Sequence, residues 1–442
     1  MKNLPSLHQH DLRRALHNEV HSRPPESVGN DTAVFCVVMW ANDDERAASR
    51  QWLHQLLRDL QLPVPDANAN HLRLDLGNCR LRWELHTEFV SWTWMVPLSA
   101  DALGDSNLPS ASDAVPAQWL AGLPGQCLLA MNIWVLQPAP VLEKRAEQRW
   151  LYEDKLIASE AADQQARLYT DFAIHSDGAS RLFVFNQSLE PARTGRLLQR
   201  LIEIETYRMA ALLGLPAARE TMDKLSATET ELAQLSEAIR SAGTASEPQL
   251  LDQLTRLAAQ VESQYAGNYS RFSASAAYFA LVQQRVADIQ ETRLGGYQTV
   301  RDFMDRRLTP ARNTCVSAHH RLEALSQRVS RISNLLQTRV DISQKQGRQA
   351  MLKAMNDRQG LQLKMQSTVE GLSVAAITYY FVGLISYLAK GLQKWGCPLS
   401  PETTAALAIP VGGFGVGSSL RRMHHRSFYG TRAPSRGLTV LS

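Results

Sequence analysis

Hydrophobic and polar positions repeat with different periods along the chain. Up to about residue 190, short runs of apolar or alternating residues, rich in β-branched and aromatic side chains, are typical of strands. We predict strands over 32–40, 71–77, 79–88, 89–97, 127–137, 155–161, 166–175 and 180–186. Helical spacing interrupts them over 43–60 and 141–150, so residues 1–190 are predicted to form an α/β domain.

Beyond Pro191 the apolar residues follow a helical spacing instead. Helices are predicted over 195–214, 217–240 and 247–292. No proline separates Pro310 from Pro398, and Pro310 suits the first turn of a helix, so we predict one long helix from this residue. Residues 191–370 are therefore predicted to form a helical bundle and a stalk.

A seam of apolar residues runs along part of this long helix. Its members step by three and four residues: Leu322, Leu325, Val329, Ile332 and Leu336. Such a stripe is normally buried, either by helices of the same chain, here 217–292, or by sister subunits. We expect the helical region 195–370 to mediate self-association.

An uncharged stretch follows the stalk. Residues 371–389 contain no Asp, Glu, Lys or Arg, and Glu370 and Lys390 flank them. As a helix these 19 residues cover about 28 Å, close to the thickness of the hydrocarbon core of a bilayer. We predict a transmembrane helix here, and the alternative is a helix buried in the protein core.

Three tyrosines are unusual inside this stretch, namely Tyr379, Tyr380 and Tyr387. Their hydroxyl groups need hydrogen-bond partners in lipid, so one face of the helix is expected to pack on protein or to line water. We regard them, together with Gly383, as candidates for lining a pore or for packing between spans.

A second uncharged stretch covers residues 403–420. Gly413 and Gly417 form a GxxxG pair, which permits close contact between membrane helices, and they join the candidates for span packing. We predict a second transmembrane helix, with a glycine-rich surface loop as the alternative. The 5 arginines within 421–442 follow it, so the positive-inside rule places this basic tail in the cytoplasm with the N-terminal domain.

Composition narrows the functional classes. The chain has 442 residues, 44% of them hydrophobic, and its net charge of +4 is too small to indicate a nucleic-acid partner. Its 5 cysteines are scattered and never form a CxxC pair, which fits a reduced cytosolic compartment. No signal-peptide pattern opens the sequence, so we expect the N-terminal domain to remain in the cytoplasm.

Few positions match known catalytic or metal-binding patterns. His17 and His21 share a helical face in HNEVH, but the glutamate stands in the wrong place for an HExxH zinc site, and a docking segment is the alternative. The sequence contains no phosphate-binding loop, dinucleotide fingerprint, nucleophile elbow or paired Cys/His set. We therefore expect that the chain is not an enzyme and holds no cofactor.

Two further pairs of polar residues occupy predicted strands. His86 with Glu88, and Asp171 with His175, alternate onto single strand faces. If the two strands are neighbours, these four residues form a metal or acid–base cluster. Salt-bridged sheet edges are the alternative.

Six stretches carry a resemblance: 16–25 (LHNEVHSRPP), 84–89 (ELHTEF), 170–181 (TDFAIHSDGASR), 195–219, 306–315 (RRLTPARNTC) and 368–380 (TVEGLSVAAITYY). They resemble an uncharacterised bacterial family of predicted membrane-anchored proteins, the domain of unknown function 3422. The resemblance spans nearly the whole chain. It implies membrane anchoring and a bacterial origin, and it brings no assigned reaction.

The layout is also similar to that of CorA-type magnesium channels, with an α/β domain, a long stalk helix, two C-terminal spans and a basic tail. Those channels carry a Gly-Met-Asn signature at the end of the first span, where this chain has GLISYLAK over residues 383–390. Magnesium selectivity therefore does not follow from the likeness, because one architecture hosts many activities.

Together these observations favour a membrane-anchored, oligomeric protein of the bacterial inner membrane, whose large cytoplasmic domain acts as a scaffold or sensor. The alternative is a divergent CorA-like ion channel or transporter. The expected partners are the lipid bilayer and further copies of the chain, without nucleic acid, and the sequence identifies no particular ion or small-molecule ligand.

Overall fold

The computed structural model describes residues 10–14, 16–17, 26–66, 69–104, 108–241, 243, 246–393 and 401–429. It confirms an N-terminal mixed α/β sheet domain followed by long helices. The chain divides into two compact units, Met1–Leu336 and Gln337–Ser442. The change from sheet to helix near Pro191 is therefore no division between units, because the sheet and the helices after it share the first unit.

The strands of the first unit are β1 Thr32–Trp40, β2 His71–Asp75, β3 Arg80–Leu85, β4 Phe89–Pro97, β5 Gln126–Leu136, β6 Ile157–Ala161, β7 Ala166–Thr170, β8 Ser180–Asn186 and β9 Thr292–Arg293. They form one sheet in the order β2-β3-β4-β1-β5-β8-β7-β6-β9. Neighbours are antiparallel except β5 and β8, which are parallel. Every predicted strand is present, and β9 is an addition at the edge beside β6.

The longer helices are α1 Asp43–Asp59, α2 Pro191–Leu212, α3 Gly214–Ser241, α4 Glu247–Asp288, α5 Val300–Gln393 and α6 Pro401–Tyr429. Short helical turns lie at Ala100–Gly104, Ala111–Ala114, Ala117–Ala121, Pro140–Arg145, Ala146–Trp150 and Glu153–Lys155. A capping box starts α1, in which Asn42 and Glu45 each accept a hydrogen bond from the backbone N–H of the other.

Both faces of the central strands are covered. On one face, Cys36 of β1 and Met131 of β5 share a core with α2, α4 and the start of α5. On the other face, Trp92 of β4 and Phe183 of β8 share a core with Leu53 of α1. Strands buried on two sides need apolar residues at every position, which explains the unbroken apolar run of β1.

The N-terminal end of α2 lies very close to the segment that precedes β1. The N–H of Val28 donates a hydrogen bond to the carbonyl oxygen of Pro191 at 2.9 Å. A Cβ built on Gly195 would lie only 1.5 Å from the carbonyl oxygen of Glu26. The helix can therefore approach this backbone only because position 195 has no side chain.

The predicted seam on the long helix is buried inside the first unit. Four of its members are at most 3% exposed: Leu322, Leu325, Val329 and Leu336. An ion pair of 2.7 Å between Arg321 and Glu229 joins α5 to α3, and Ser326 donates to Glu262 of α4 at 3.1 Å. Helices of the same chain therefore cover these four residues, which was one of the two predicted alternatives.

The long helix α5 begins at Val300, so the predicted start at Pro310 is wrong, and this proline lies inside the helix. A capping pair sets the observed start, because Asp302 N–H donates to Thr299 Oγ1 at 3.0 Å while Thr299 N–H donates to Asp302 Oδ2 at 3.3 Å. Glu291 accepts from the N–H of Val300. These acceptors satisfy backbone donors that a helix start leaves free.

In the second unit, α6 packs against the C-terminal part of α5. A Cβ built on Gly412 would lie 3.0 Å from Cδ1 of Phe381 and 3.7 Å from Cγ2 of Thr378. Ala389 of α5 and Ala408 of α6 are each only 8% exposed. Among the described helices, α5 alone is long and apolar enough to cross a membrane, and only 6% of its apolar window is buried.

We expect Gly195→Ala to lower the unfolding temperature, because its methyl group would collide with backbone atoms of Glu26 that cannot rotate away. Overpacking of this kind costs about 1–3 kcal/mol. In the control Gly267→Ala, within α4, nothing lies within 4 Å of the new Cβ, and alanine is the better helix former by up to about 1 kcal/mol. Tryptophan fluorescence during heating measures both variants, and an unchanged Tm for Gly195→Ala would contradict the close approach.

Candidate functional site

A polar cleft, which we call the β3–α2 cleft, lies between strands β3 and β4 on one side and helix α2 on the other. Its volume is about 170 Å³. Arg82 pairs with Thr93, and Glu84 with Ser91, across the two strands, so charged and hydroxyl groups replace the apolar residues found at the centre of this face. The facing wall comes from α2 and from the segment before β1: Glu26, Leu198, Gln199, Ile202, Glu203 and Tyr207.

Arg82 and Glu84 form a largely buried ion pair on the strand side of the cleft. Nη2 of Arg82 lies 2.7 Å from Oε1 of Glu84, and the two side chains are 9% and 14% exposed. A guanidinium has five N–H donors, and this contact uses one of them. Within the described part of the chain, the other donors of Arg82 and Oε2 of Glu84 make no hydrogen bond and are not sealed from the cleft.

Two more carboxylates border the cleft, and they differ in the hydrogen bonds that they accept. Glu203 accepts hydrogen bonds from Gln199 at 2.9 Å and from Arg285 of α4. Glu26 pairs through Oε1 with Arg80 at 3.1 Å, whereas its Oε2 is buried and has no donor among the described residues. A buried acceptor without a donor costs about 1–3 kcal/mol, and none of the described residues offsets this cost at Oε2 of Glu26.

His86 borders the same cleft, but on a turn rather than on a strand. The N–H of His86 donates to the carbonyl oxygen of Phe89 at 2.9 Å and closes the turn, so β3 ends at Leu85. The prediction that His86 and Glu88 alternate on a strand is therefore wrong. The His86 imidazole stacks on the Phe89 ring with centroids 4.3 Å apart.

Glu88 ties this turn to helix α4. The hydroxyl of Tyr278 donates to Oε2 of Glu88 at 2.7 Å, and Arg271 donates to the two carboxylate oxygens at 3.2 and 3.4 Å. Burial and then the hydrogen bond to Glu88 raise the pKa of Tyr278 well above its usual range. The guanidinium of Arg271 also lies 5.0 Å from the ring centroid of Trp40. Together these contacts hold the turn against α4.

Asp171 and His175 do meet, in the loop that follows β7. Oδ2 of Asp171 lies 2.9 Å from Nε2 of His175, and the side chains are 0% and 7% exposed. Asp171 also accepts from the backbone N–H groups of Tyr152 at 2.9 Å and Ala173 at 3.0 Å. The hydrogen bond from Ala173 is local and competes with strand pairing, and β7 ends at Thr170, so the predicted alternation of this pair on a strand is wrong.

The two polar pairs do not combine into one cluster. In the sheet order, strands β4, β1, β5 and β8 separate β3 from β7, so the predicted neighbouring arrangement is absent. The described residues contain no group of three or more His, Cys, Asp or Glu side chains that could hold a metal ion. His17 is exposed, and His21 lies outside the described residues.

The candidate residues of the apolar segments face outward in the second unit. Tyr379, Tyr380 and Tyr387 are 77%, 76% and 78% exposed. A Cβ built on the predicted packing glycines would meet nothing within 4 Å: Gly383, Gly413 and Gly417. The contact between α5 and α6 instead uses Gly412, next to the predicted pair.

Among the residues that line the β3–α2 cleft, His86 alone was predicted to belong to a site, and Arg82 and Glu84 were not. A signal was present, because Arg80, Arg82 and Glu84 alternate with apolar residues along β3. This alternation is equally typical of a strand with one solvated face. Only the position of α2 shows that Arg82 and Glu84 are covered.

The fold and the cleft define a protein with an α/β domain, a polar cleft beside its sheet and long C-terminal helices. The chain belongs to the family described as Protein of unknown function (DUF3422), whose model matches residues 8–427. The predicted family is thereby confirmed, and the description gives it no activity. None of the curated proteins matches the chain. The likeness to CorA-type channels is not shown and stays a prediction.

We expect Asp171→Ala to destabilise the first unit by about 2–4 kcal/mol, because it removes the acceptor of the buried His175 ring and of the partly buried N–H groups of Tyr152 and Ala173. The control is Asp177→Ala in the same loop. Its carboxylate is 43% exposed and pairs with Arg181, so we expect the free energy of unfolding to fall by about 1 kcal/mol. Urea unfolding, monitored by tryptophan fluorescence, compares the free energies of unfolding of the two variants. Equal losses would contradict the structural role of Asp171.

Proposed function

We propose that the chain is anchored in the cytoplasmic membrane of a bacterium by its C-terminal helices, and that its first unit acts in the cytoplasm as a sensor or scaffold. One observation carries the anchor: the uncharged segment 371–389 belongs to a helix whose apolar window is only 6% buried. A core helix of a soluble protein would be covered by its own chain. An exposed apolar helix of this length requires a lipid or protein environment.

The side chains of this segment support lipid as that environment. Leu372, Leu384 and Leu388 are 74%, 65% and 59% exposed in the single chain. Removing one leucine side chain from water contributes about 1.5–3 kcal/mol, and a lipid environment would supply this stabilisation. The proposed second span lies on α6, where Leu407 and Phe414 are 70% and 82% exposed. A proline and several glycines within α6 are compatible with a membrane helix, in which both are frequent.

We further propose that the protein is an oligomer joined through α5 ahead of the apolar segment. Residues 341–369 are almost entirely exposed in the single chain. At 100° per residue, four apolar side chains fall within about 80° of one another on this helix: Met351, Met355, Met365 and Val369. We call these four residues the stalk stripe. A stripe of this kind on a solvated helix is a surface for a second copy.

A sensor role draws on the β3–α2 cleft. The guanidinium of Arg82 has unused donors there, and Oε2 of Glu84 accepts no hydrogen bond from the described residues, which are features of a site for a polar ligand. The alternative function is a divergent ion channel, favoured by the three exposed tyrosines of segment 371–389, whose hydroxyls could line a pore. Ion flux through liposomes that is lost in Tyr380→Leu would favour the channel over the sensor.

To test the anchor, we substitute Ile377→Arg together with Leu384→Arg. Each arginine near the centre of a span costs about 2.5–3.5 kcal/mol, so we expect the double variant to leave the membrane fraction. The control is Leu352→Arg with Leu363→Arg, two exposed leucines of the same helix outside the apolar segment. Flotation in a sucrose gradient separates membranes from aggregates. Wild-type protein that fails to float, or a control that behaves like the span variant, would contradict the anchor.

To test self-association, Met355→Glu with Met365→Glu places two charges in the stalk stripe. We expect the mass of the detergent-solubilised protein to fall from that of an oligomer to that of the 49.3 kDa monomer. Leu352→Glu with Leu363→Glu adds the same charges to another face of the helix and should preserve the oligomer. Light scattering after size-exclusion chromatography measures the mass, and a monomeric wild type would remove this proposal.

A further inference from the structure

We infer that the β3–α2 cleft binds a free α-amino acid with an aliphatic side chain. The inference deepens the proposed sensor function and rests on it only for its biological role. Binding itself is measured on purified protein, so its failure is distinct from a failure of the anchor. Three features of the cleft support it: unused groups of both charges, their close spacing, and an apolar wall.

The first feature is that unused hydrogen-bond donors and unused acceptors lie in one cleft. Arg82 is nine-tenths buried and keeps several N–H donors unused, which match a carboxylate ligand. Within the described part of the chain Oε2 of Glu84 makes no hydrogen bond either, and it matches the N–H donors of an ammonium group. A ligand that carries one carboxylate and one ammonium group satisfies both sides.

The second feature is the distance between the opposite charges of the protein. Arg82 and Glu84 are in direct contact, with 2.7 Å between Nη2 and Oε1. The carboxylate and ammonium groups of the ligand must therefore also lie side by side, as they do on the single α-carbon of an α-amino acid. In a long ω-amino acid the two charges are several carbons apart, so both cannot reach this pair without folding the chain.

Ligands with a single charge fit the cleft less well. A lone anion bound to Arg82 would approach the carboxylates of Glu26, Glu84 and Glu203, which all border the cleft. A lone cation bound to these carboxylates would approach the guanidinium of Arg82. Like charges in a partly buried site repel strongly because little water screens them.

The third feature is the apolar part of the lining. Met95 of β4 and Leu198 and Ile202 of α2 contribute apolar surface to the same cleft. The aliphatic side chain of the ligand would remove this surface from water while its charged end binds the ion pair. This arrangement favours leucine, isoleucine, valine or methionine over amino acids with a charged side chain.

Isothermal titration of the full chain in detergent compares four probes of similar size: L-leucine, 4-methylpentanoate, which lacks the ammonium group, 3-methylbutylamine, which lacks the carboxylate, and 6-aminohexanoate, whose charges are far apart. We expect saturable binding of leucine below about 10 mM and at least about tenfold weaker binding of the other three. Binding of 4-methylpentanoate as tight as that of leucine would show an anion site and overturn the inference. So would the absence of leucine binding.

Variants locate the binding in the cleft. Arg82→Gln combined with Glu84→Gln removes both charges together, so no uncompensated buried charge remains and the fold is expected to survive. We expect this double variant to lose leucine binding by at least about tenfold while its circular dichroism stays that of the wild type. Arg82→Lys, which keeps the charge but not the fork of donors, should bind with intermediate affinity.

The control is Arg167→Gln with Glu143→Gln, a second arginine–glutamate pair of the first unit, joined at 3.2 Å and remote from the lining of the cleft. This variant should bind leucine as the wild type does. A folded Arg82/Glu84 double variant with unchanged leucine affinity would overturn the inference. An equal loss in the Arg167/Glu143 control would overturn it as well, because the effect would then not come from the cleft.

Discussion

Burial of the central strands on both faces is the constraint on which the rest of the first unit depends. From Thr32 to Met39 every residue of β1 is buried, so both sides of the sheet need a covering layer. Helix α1 and an aromatic cluster supply one layer, and α2 with α4 supplies the other. The second layer comes close enough only because Gly195 has no side chain. Where the covered face reaches β3 and β4, its residues become charged and the β3–α2 cleft lies there.

Periodicity predicted the elements well because it reflects burial directly. The apolar run of β1, the alternation in β3 and the three-four spacing from Leu322 each correspond to the element that was expected. Boundaries were harder to predict, because hydrogen bonds of individual side chains decide them. Asp171 ends β7 through backbone N–H groups, and Thr299 with Asp302 starts α5 ahead of Pro310. The pairing of β9 with β6 joins residues distant in sequence, and no local pattern indicates it.

For the candidate site, residue type alone was not enough to identify its members. Glu88, Asp171 and His175 were noticed because their residue types suit chemistry, yet each is held by hydrogen bonds that stabilise a turn or loop. Arg82 and Glu84 were unremarkable in sequence, since charged residues on alternate positions usually face water. In the folded chain helix α2 covers this pair. The pair is therefore buried rather than solvated, and it keeps unused donors and acceptors.

The membrane anchor is the central claim, and labelling of two native cysteines tests it most directly. Cys397 lies in the sequence between α5 and α6, and Cys127 is exposed on the first unit. In intact spheroplasts a membrane-impermeant maleimide should label Cys397 and should reach Cys127 only after lysis, with Cys397→Ser and Cys127→Ser assigning each signal. Labelling of Cys127 in intact spheroplasts, or protection of Cys397 until lysis, would contradict the account.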